Sequence, residues 1–168
     1  MGVPTSGQLP FDPLERAGEL WEKHVGDATS MQLATSIMRV QQILSQRLDA
    51  ALKPHGITFA RFEVLRLISF SKERRLSLSM IGERLMVHPT SVTNAIDRLV
   101  GQGLVVRETD PTDRRRTFAS LTAEGERVLD AATAALMDAD FAIAGLDAEQ
   151  QRDAYALLKL LRRADFEG

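Results

Sequence analysis

The segment 78–121 constrains the fold of this chain more than any other. Apolar residues recur at helical spacing on both sides of a short turn, and Gly103 stops the second run. Two strand-like stretches then flank the sequence D-P-T-D at 110–113, which is turn chemistry. The predicted order is helix 78–85, turn 86–88, helix 89–100, and a hairpin of strands 104–109 and 117–121. Helix, tight turn, helix and hairpin form the plan of a winged helix-turn-helix.

Helical patterns surround this segment. Residues 1–11 lack periodicity and are predicted to be a flexible tail, after which Asp12 and Pro13 start an extra helix over 12–25. A long helix from about residue 29 to 53 has an apolar residue every three or four positions. Roughly 24 residues at 1.5 Å each give about 36 Å of helix, more than one small core covers, so a partner surface is predicted. Further helices are predicted after Thr58, from Thr122 and from Asp147.

Composition narrows the function classes. The 168 residues include no cysteine, which excludes disulfide scaffolds, thiolate nucleophiles and zinc–sulfur sites. The net charge of −2 argues against indiscriminate nucleic-acid binding. No apolar run approaches the roughly 18 residues of a membrane span and no signal-peptide pattern opens the chain, so a cytoplasmic protein without membrane association is expected. The histidines His24, His55 and His88 lie in separate elements, so no metal or cofactor is predicted. No catalytic motif is present, so the chain is not expected to be an enzyme.

The second helix of the predicted winged helix-turn-helix has the chemistry of a recognition helix. A helix that enters the major groove needs short donors and acceptors on its exposed face, because base edges are read by hydrogen bonds. Pro89 is expected to leave the first amide groups of the helix free for a phosphate. The predicted DNA-binding residues of this helix are Pro89, Thr90, Ser91, Thr93, Asn94 and Arg98. The alternative is that a polar helix face is only solvated surface.

The predicted hairpin has arginines close to its tip. Arg114, Arg115 and Arg116 follow directly after Asp113. Arginine side chains suit the narrow minor groove of A·T-rich DNA, where the negative potential is strongest. The alternative is an exposed turn in which Asp110 and Asp113 neutralise the arginines. The order and spacing of all these parts together favour DNA binding over either alternative.

At the level of motifs, the chain resembles the MarR family of bacterial transcriptional regulators. The matching stretches are L-S-M-I-G-E-R-L at 78–85, P-T-S-V-T-x-x-I-D-R-L-V-x-x-G-L-V at 89–105, D-P-T-D-R-R at 110–115 and L-T-A-E-G at 121–125. The resemblance extends from about Met31 to the C-terminus. Asn94 and the Gly101-Gln102 pair depart from the family, whose members often have basic or charged residues there, so moderate DNA affinity is expected.

The resemblance implies a mainly α fold with a small β-wing, dimerised through its N- and C-terminal helices. Dimerisation helices are expected at 29–54 and 122–166, and the DNA-binding lobe at 57–121. The homodimer would bind a pseudo-palindromic double-stranded operator and repress transcription. Asp113 would orient a neighbouring arginine, and Arg114 or Arg115 would reach the minor groove. The alternative function is a winged-helix module that binds a protein partner without specific DNA binding.

The resemblance also implies a small-molecule effector, an aromatic or other anion, that releases the DNA. One branch of the family has an extra N-terminal helix with a tryptophan and responds to urate or related anions. Its ligand site combines a tryptophan, an acidic residue and two arginines. The matching candidates here are Trp21, Glu73, Arg107 and Arg115. The alternatives are that Trp21 only packs the extra helix and that Arg107 pairs with an acidic residue or a phosphate.

Overall fold

A computed structural model describes residues 9–113 and 115–163 of the chain. The helices are α1 (Pro13–His24), α2 (Thr29–Leu52), α3 (Phe59–Ser69), α4 (Leu78–Leu85), α5 (Pro89–Gly101), α6 (Ala123–Asp138) and α7 (Ala148–Arg163). The strands are β1 (Arg75–Ser77), β2 (Val105–Thr109) and β3 (Thr117–Leu121), and short 3-10 turns lie at Lys53–His55 and Asp140–Ala142. The predicted fold class, mainly α with a small β-wing, is confirmed. The chain forms two compact units that divide between Gln46 and Arg47.

The first unit contains α1 and the first three quarters of α2. The Asp12 carboxylate accepts the Leu14 N–H at 2.8 Å, so the predicted start of the extra helix is confirmed. The start of α2 is stabilised by Asp27, whose carboxylate accepts the N–H and the hydroxyl of Thr29 at 3.0 and 2.8 Å. These hydrogen bonds hold the pKa of Asp27 below its ordinary value. A side chain larger than glycine at position 18 would overlap the side chain of Gln32, so α1 and α2 approach closely there.

The second unit has one apolar core. Its fully buried side chains come from the end of α2, from α3, α4 and α5, and from α6. They include Leu52, Leu65, Ile68, Ile81, Ile96, Leu99, Leu129 and Leu136. The predicted apolar stripe of α2 is buried only at its C-terminal end, at Leu48 and Leu52, whereas Leu33 and Val40 are exposed. The N-terminal part of that stripe is therefore exposed or only half-buried in the described chain.

The sheet differs from the predicted two-stranded hairpin. It has three antiparallel strands in the order β1-β3-β2, because Arg75–Ser77 adds an edge strand before α4. Strand β2 pairs with β3 as predicted, from Val105 opposite Leu121 to Thr109 opposite Thr117. The prediction missed β1 because three residues are too few to show an alternating pattern. Leu76 on β1 lies opposite Ala119 on β3 and both are buried, so this face of the sheet covers the core.

The L-T-A-E-G motif joins the wing to α6. The Thr122 hydroxyl accepts the Gly125 N–H at 2.9 Å and donates to the Gly103 carbonyl at 2.8 Å. A Cβ atom at position 125 would overlap the carbonyl oxygen of Leu104, so only glycine fits this approach. The motif therefore fixes where β2 begins relative to the start of α6.

The last helix, α7, has the predicted cap but no buried face of its own. The Asp147 carboxylate accepts the N–H groups of Glu149 and Gln150, each at 2.9 Å, and the Gln150 side chain accepts the Asp147 N–H at 2.9 Å. None of the residues described in α7 is buried. Its exposed apolar side chains are Tyr155, Leu157, Leu158, Leu160 and Leu161.

Within the described part of the chain, no helix is both long and apolar enough to cross a membrane.

Candidate DNA-binding surface

Helix α5 divides cleanly into a buried and an exposed side. Val92, Ile96 and Leu99 are buried against the core, which fixes the rotation of the helix. The opposite side exposes the predicted recognition residues Thr90, Ser91, Asn94 and Arg98. Thr93 is half-buried, and its hydroxyl donates to the Pro89 carbonyl at 3.1 Å, which leaves its oxygen as an acceptor. The exposed side therefore offers hydroxyl, amide and guanidinium groups to a ligand.

The N-terminus of α5 is capped by a histidine. His88 Nδ1 accepts the Thr90 N–H at 3.2 Å, and the His88 carbonyl accepts the Ser91 N–H at 2.9 Å. Pro89 at the first helical position has no N–H. The prediction that Pro89 leaves the first amides free for a phosphate is therefore wrong for this conformation, because His88 occupies both amides that follow it.

An ion pair links the recognition helix to the wing. Arg107 on β2 places its Nη1 2.8 Å from Asp97 Oδ1 on α5. Arg107 lies opposite Ala119 in the sheet register and so on the face directed toward the helices. Both side chains are partly exposed, at 40% and 55%, so the pair contributes orientation more than stability. The structure shows the pairing with an acidic residue that was the alternative to a ligand role for Arg107.

The wing tip is an ordered turn. The Asp110 carboxylate accepts the Thr112 hydroxyl at 2.6 Å and the Thr112 N–H at 2.8 Å. These two hydrogen bonds hold the pKa of Asp110 below its ordinary value, with smaller contributions from the Asp113 N–H and the Arg116 charge. The Asp110 N–H donates to the Arg116 carbonyl at 2.9 Å and closes the turn. The tip is therefore shaped by its own hydrogen bonds.

The acidic and basic residues of the wing differ in their contacts. The Asp113 carboxylate accepts the backbone N–H of Arg115 at 3.0 Å, so Asp113 orients Arg115 through its main chain. The Arg115 guanidinium is exposed and makes no hydrogen bond, ion pair or ring contact with a described residue. Arg116 is exposed and lies over the Phe118 ring, 5.3 Å from its centroid. The predicted wing residue Arg114 lies outside the described residues.

The predicted ligand-binding residues are distributed over several elements. Trp21 lies on α1 in the first unit and is 40% exposed. In the second unit, Glu73 precedes β1, Arg107 is held by Asp97, and Arg115 belongs to the wing. The structure gives no contact among Glu73, Arg107 and Arg115 within the part it describes. The ligand set therefore stays a prediction.

The sequence did not reveal which residues pair with two of the predicted arginines. Asp97 holds Arg107, and Phe118 contacts Arg116. Both contacts depend on the sheet register and on the packing of α5 against β2, so no short sequence motif predicts them. The residues that the structure describes include no group of three or more metal-ligating side chains.

Comparisons with known sequences give the family context. The family model described as MarR family matches residues 55–116. The HTH-type transcriptional repressor Rv2887 of Mycobacterium tuberculosis is 31% identical over 138 residues, which cover 82% of this chain and 98% of that protein. The chain spans only 62 to 65% of the length of three curated regulators of Bacillus subtilis that it also matches.

Solved structures show the same fold. Sco5413, a MarR family transcriptional regulator from Streptomyces coelicolor, is 51% identical with a TM-score of 0.77, covering 83% of this chain and 99% of that one. Sco3205 from the same organism, solved in complex with DNA, is 25% identical with a TM-score of 0.73, covering 82% and 88%. The resemblance found in the motifs between residues 78 and 125 is thereby confirmed.

Proposed function

The chain belongs to the MarR family of transcriptional regulators, and from this premise we propose that it binds a specific double-stranded DNA operator and represses transcription. The observation that carries the proposal is a polar exposed face of α5 linked by Arg107 and Asp97 to an arginine-bearing wing. This pairing supplies both a helix for the major groove and a cation for the minor groove. No catalytic step is part of the proposal.

The two parts of the surface have different tasks in this proposal. The amide of Asn94 suits an adenine edge and the guanidinium of Arg98 suits a guanine edge or a phosphate, since both pairings are bidentate. The hydroxyls of Thr90 and Ser91 contact bases or phosphates. Arg115, whose guanidinium is exposed, enters the minor groove beside the site of α5. Base contacts set the sequence, and phosphate contacts make the binding depend on salt.

The operator is bound by a homodimer in this proposal. The support comes from two exposed apolar surfaces, on the first three quarters of α2 and on α7. Isolated exposed apolar residues are ordinary, but contiguous apolar faces of this kind mark protein interfaces. A two-fold dimer presents two wings and two recognition helices, which matches a pseudo-palindromic DNA site.

A small anionic effector releases the DNA in this proposal. Trp21, Glu73, Arg107 and Arg115 are its candidate ligands. Arg107 supports the idea physically, because its guanidinium holds α5 and β2 together through Asp97. An anion that attracts Arg107 away from Asp97 would uncouple the recognition helix from the wing. A screen of aromatic carboxylates and purine anions for DNA release tests this part, and Arg107→Gln, which lacks the link to Asp97, should bind the DNA more weakly even without an anion.

Fluorescence anisotropy tests the DNA-binding proposal. The purified protein is titrated into labelled DNA from the region upstream of its own gene and into an unrelated duplex of equal length, at two salt concentrations. We expect tight binding to the upstream DNA and binding to the control that is weaker by about 1,000-fold or more. Equal and salt-sensitive binding to both would contradict sequence specificity. Absence of binding to either at low salt would favour the alternative, a winged helix that binds a protein partner.

A further inference from the structure

The outer face of the sheet has a cluster of charged and aromatic side chains. Side chains alternate between the two faces of a strand, so the residues next to the buried pair Leu76 and Ala119 point the other way. Arg75 of β1, Phe118 of β3 and Glu108 of β2 lie on this outer face, and Glu108 is directly opposite Phe118 in the register. Phe118 is half-buried and lies on the central strand.

Arg75 packs tightly on the Phe118 ring. Its guanidinium carbon lies 3.8 Å from the ring centroid, which is direct stacking. Arg75 Nε lies 3.4 Å from Glu108 Oε2, an ion pair without hydrogen-bond geometry. Glu108 therefore holds Arg75 from one side while the ring holds it from another. A cation stacked in this way fixes the orientation of the ring.

The same ring contacts the wing. Arg116 lies two residues before Phe118 on the chain, so its side chain emerges on the same face of the sheet. Its guanidinium carbon is 5.3 Å from the ring centroid, within the range of a cation–π contact. Arg116 is otherwise exposed, so its long side chain would sample many rotamers in solution without this contact.

We propose that Phe118 is a positioning residue for DNA binding, whose ring, fixed by Arg75 and Glu108, holds the Arg116 guanidinium in place for a DNA phosphate. The inference rests on the proposed function, because it needs the wing to bind DNA. Restricting Arg116 before binding lowers the entropy that binding must remove. The two described wing arginines then differ: Arg115 has a free guanidinium for the minor groove, whereas Arg116 is held on an aromatic ring.

A double-mutant cycle tests this role. The variants are Phe118→Leu, Phe118→Tyr, Arg116→Gln and the combination of Phe118→Leu with Arg116→Gln. The probe is a duplex that the wild-type protein selects from a random-sequence pool, with a scrambled duplex as control. We expect Phe118→Leu to weaken binding about fivefold and Phe118→Tyr to leave it unchanged, because tyrosine keeps the ring. In the Arg116→Gln background the Phe118→Leu change should have no further effect.

Salt dependence provides a readout that a merely structural residue would not move. Losing a phosphate contact lowers the slope of log K against log salt by about 0.9 for each contact. Phe118→Leu and Arg116→Gln should therefore lower the slope together, whereas Phe118→Tyr should not. Thermal unfolding of each variant shows whether it folds, and Phe118→Met replaces Phe118→Leu if the leucine variant does not.

Each outcome of the cycle is decisive. Equal losses from Phe118→Leu with and without Arg116, or a loss in Phe118→Tyr as large as in Phe118→Leu, would overturn the positioning role. Unchanged affinity in Phe118→Leu would overturn it as well. Failure of the wild-type protein to select any duplex over the scrambled control would instead contradict the proposed function. The two failures are therefore distinguishable in one set of titrations.

Discussion

Helices α5 and α7 both expose much of their surface, but for opposite chemical reasons. Helix α5 buries Val92, Ile96 and Leu99 within its own chain and exposes polar groups. Helix α7 has no buried residue within the described chain and exposes large apolar side chains, among them Leu157 at 66% and Leu161 at 58%. The apolar side chains of α5 are already buried in the core of the folded chain. Its exposed face is therefore available for a polar ligand. The apolar side chains of α7 are not covered within the described chain, which agrees with the proposed dimer interface.

The arrangement of residues on α7 supports this distinction. At 100° per residue, its large apolar side chains occupy an arc of about 220°, and Lys159 and Arg163 lie on the remaining side. A helix on the surface of a monomer usually has a narrower apolar stripe facing its core. The Arg162 guanidinium lies 5.4 Å from the Tyr155 ring centroid and covers one edge of the arc. Helix α7 therefore exposes five large apolar side chains on a helix whose other residues are mostly charged or amide side chains.

The largest expected effect comes from charging the apolar arc of α7. In the double variant Leu158→Asp with Leu161→Asp, four carboxylates would enter a two-fold interface, which we expect to cost about 5 kcal/mol or more of dimerisation free energy. Sedimentation should then show a monomer, and operator binding should fall more than about 100-fold. Lys159→Glu changes the net charge by the same amount on the polar side of α7 and should leave both unchanged. A dimer that survives the double substitution would contradict the assignment of α7 to the interface.

The second largest expected effect is on the stability of the unit that contains α5. It comes from the close approach of Gly125 to the Leu104 carbonyl oxygen. Gly125→Ala places a Cβ atom onto the Leu104 carbonyl oxygen, so we expect unfolding to become easier by about 3 kcal/mol. Chemical denaturation measures this change in the free energy of unfolding. Gly101→Ala is the matched control, because nothing lies within 4 Å of a Cβ there and alanine favours the helix by about 0.5–1 kcal/mol. Equal stability of the two variants would contradict the close approach at Gly125.

The third effect separates DNA binding from folding. Arg115→Ala removes an exposed guanidinium, so we expect a loss of about 1–3 kcal/mol of operator binding with an intact dimer and unchanged stability. Arg127→Ala removes the same charge from an i,i+3 ion pair with Glu124 on α6 and controls for net charge. If both variants lose the same affinity, the wing acts only through its charge and Arg115 makes no specific groove contact.

The sequence predicts those parts of the fold that local chemistry determines. Helix α4 and strand β3 have their predicted bounds, since a turn or cap flanks each of them. The start of α7 is also as predicted, because Asp147 and Gln150 form a capping box. The edge strand β1 escaped prediction because its pairing with β3 joins residues more than 40 positions apart. Local patterns carry no information on such pairings.

The candidate site divides in the same way. The exposed residues of α5 could be predicted, because the apolar period of Val92, Ile96 and Leu99 defines the opposite face. The hydrogen bonds of the first α5 amides could not be predicted. Histidine is an unusual N-cap residue, and Pro89 by itself suggests that these amides are free. The contact of Phe118 with Arg75 depends on the register of a strand that the sequence did not reveal. Partners of predicted residues therefore require the tertiary structure.

The smallest expected effect is the acid response of the wing tip. The pKa of Asp110 lies below its ordinary value of 3.8, because the hydroxyl and the N–H of Thr112 donate to the ionised carboxylate. A lowered pKa means that the turn is stabilised by ionised Asp110 at pH values above 3.8 and loses that contribution as the pH falls through the lower, folded-state value. The protection of the Thr112 amide, meaning its exchange rate relative to the unfolded chain at the same pH, should therefore be constant from about pH 5 upward and fall only below about pH 4.

Asp110→Asn provides the control for this titration. Asparagine keeps one acceptor oxygen for Thr112 but does not ionise, so the protection of the Thr112 amide should lose its pH dependence. Leu158 and Leu161 of α7 carry no ionisable group, so no such pH response is expected from them. A wing tip that loosens at low pH in the wild-type protein but not in Asp110→Asn would therefore confirm that hydrogen bonds to an ionised group order this part of the DNA-binding surface. Identical pH profiles would assign that order to the backbone hydrogen bond between Asp110 and Arg116 instead.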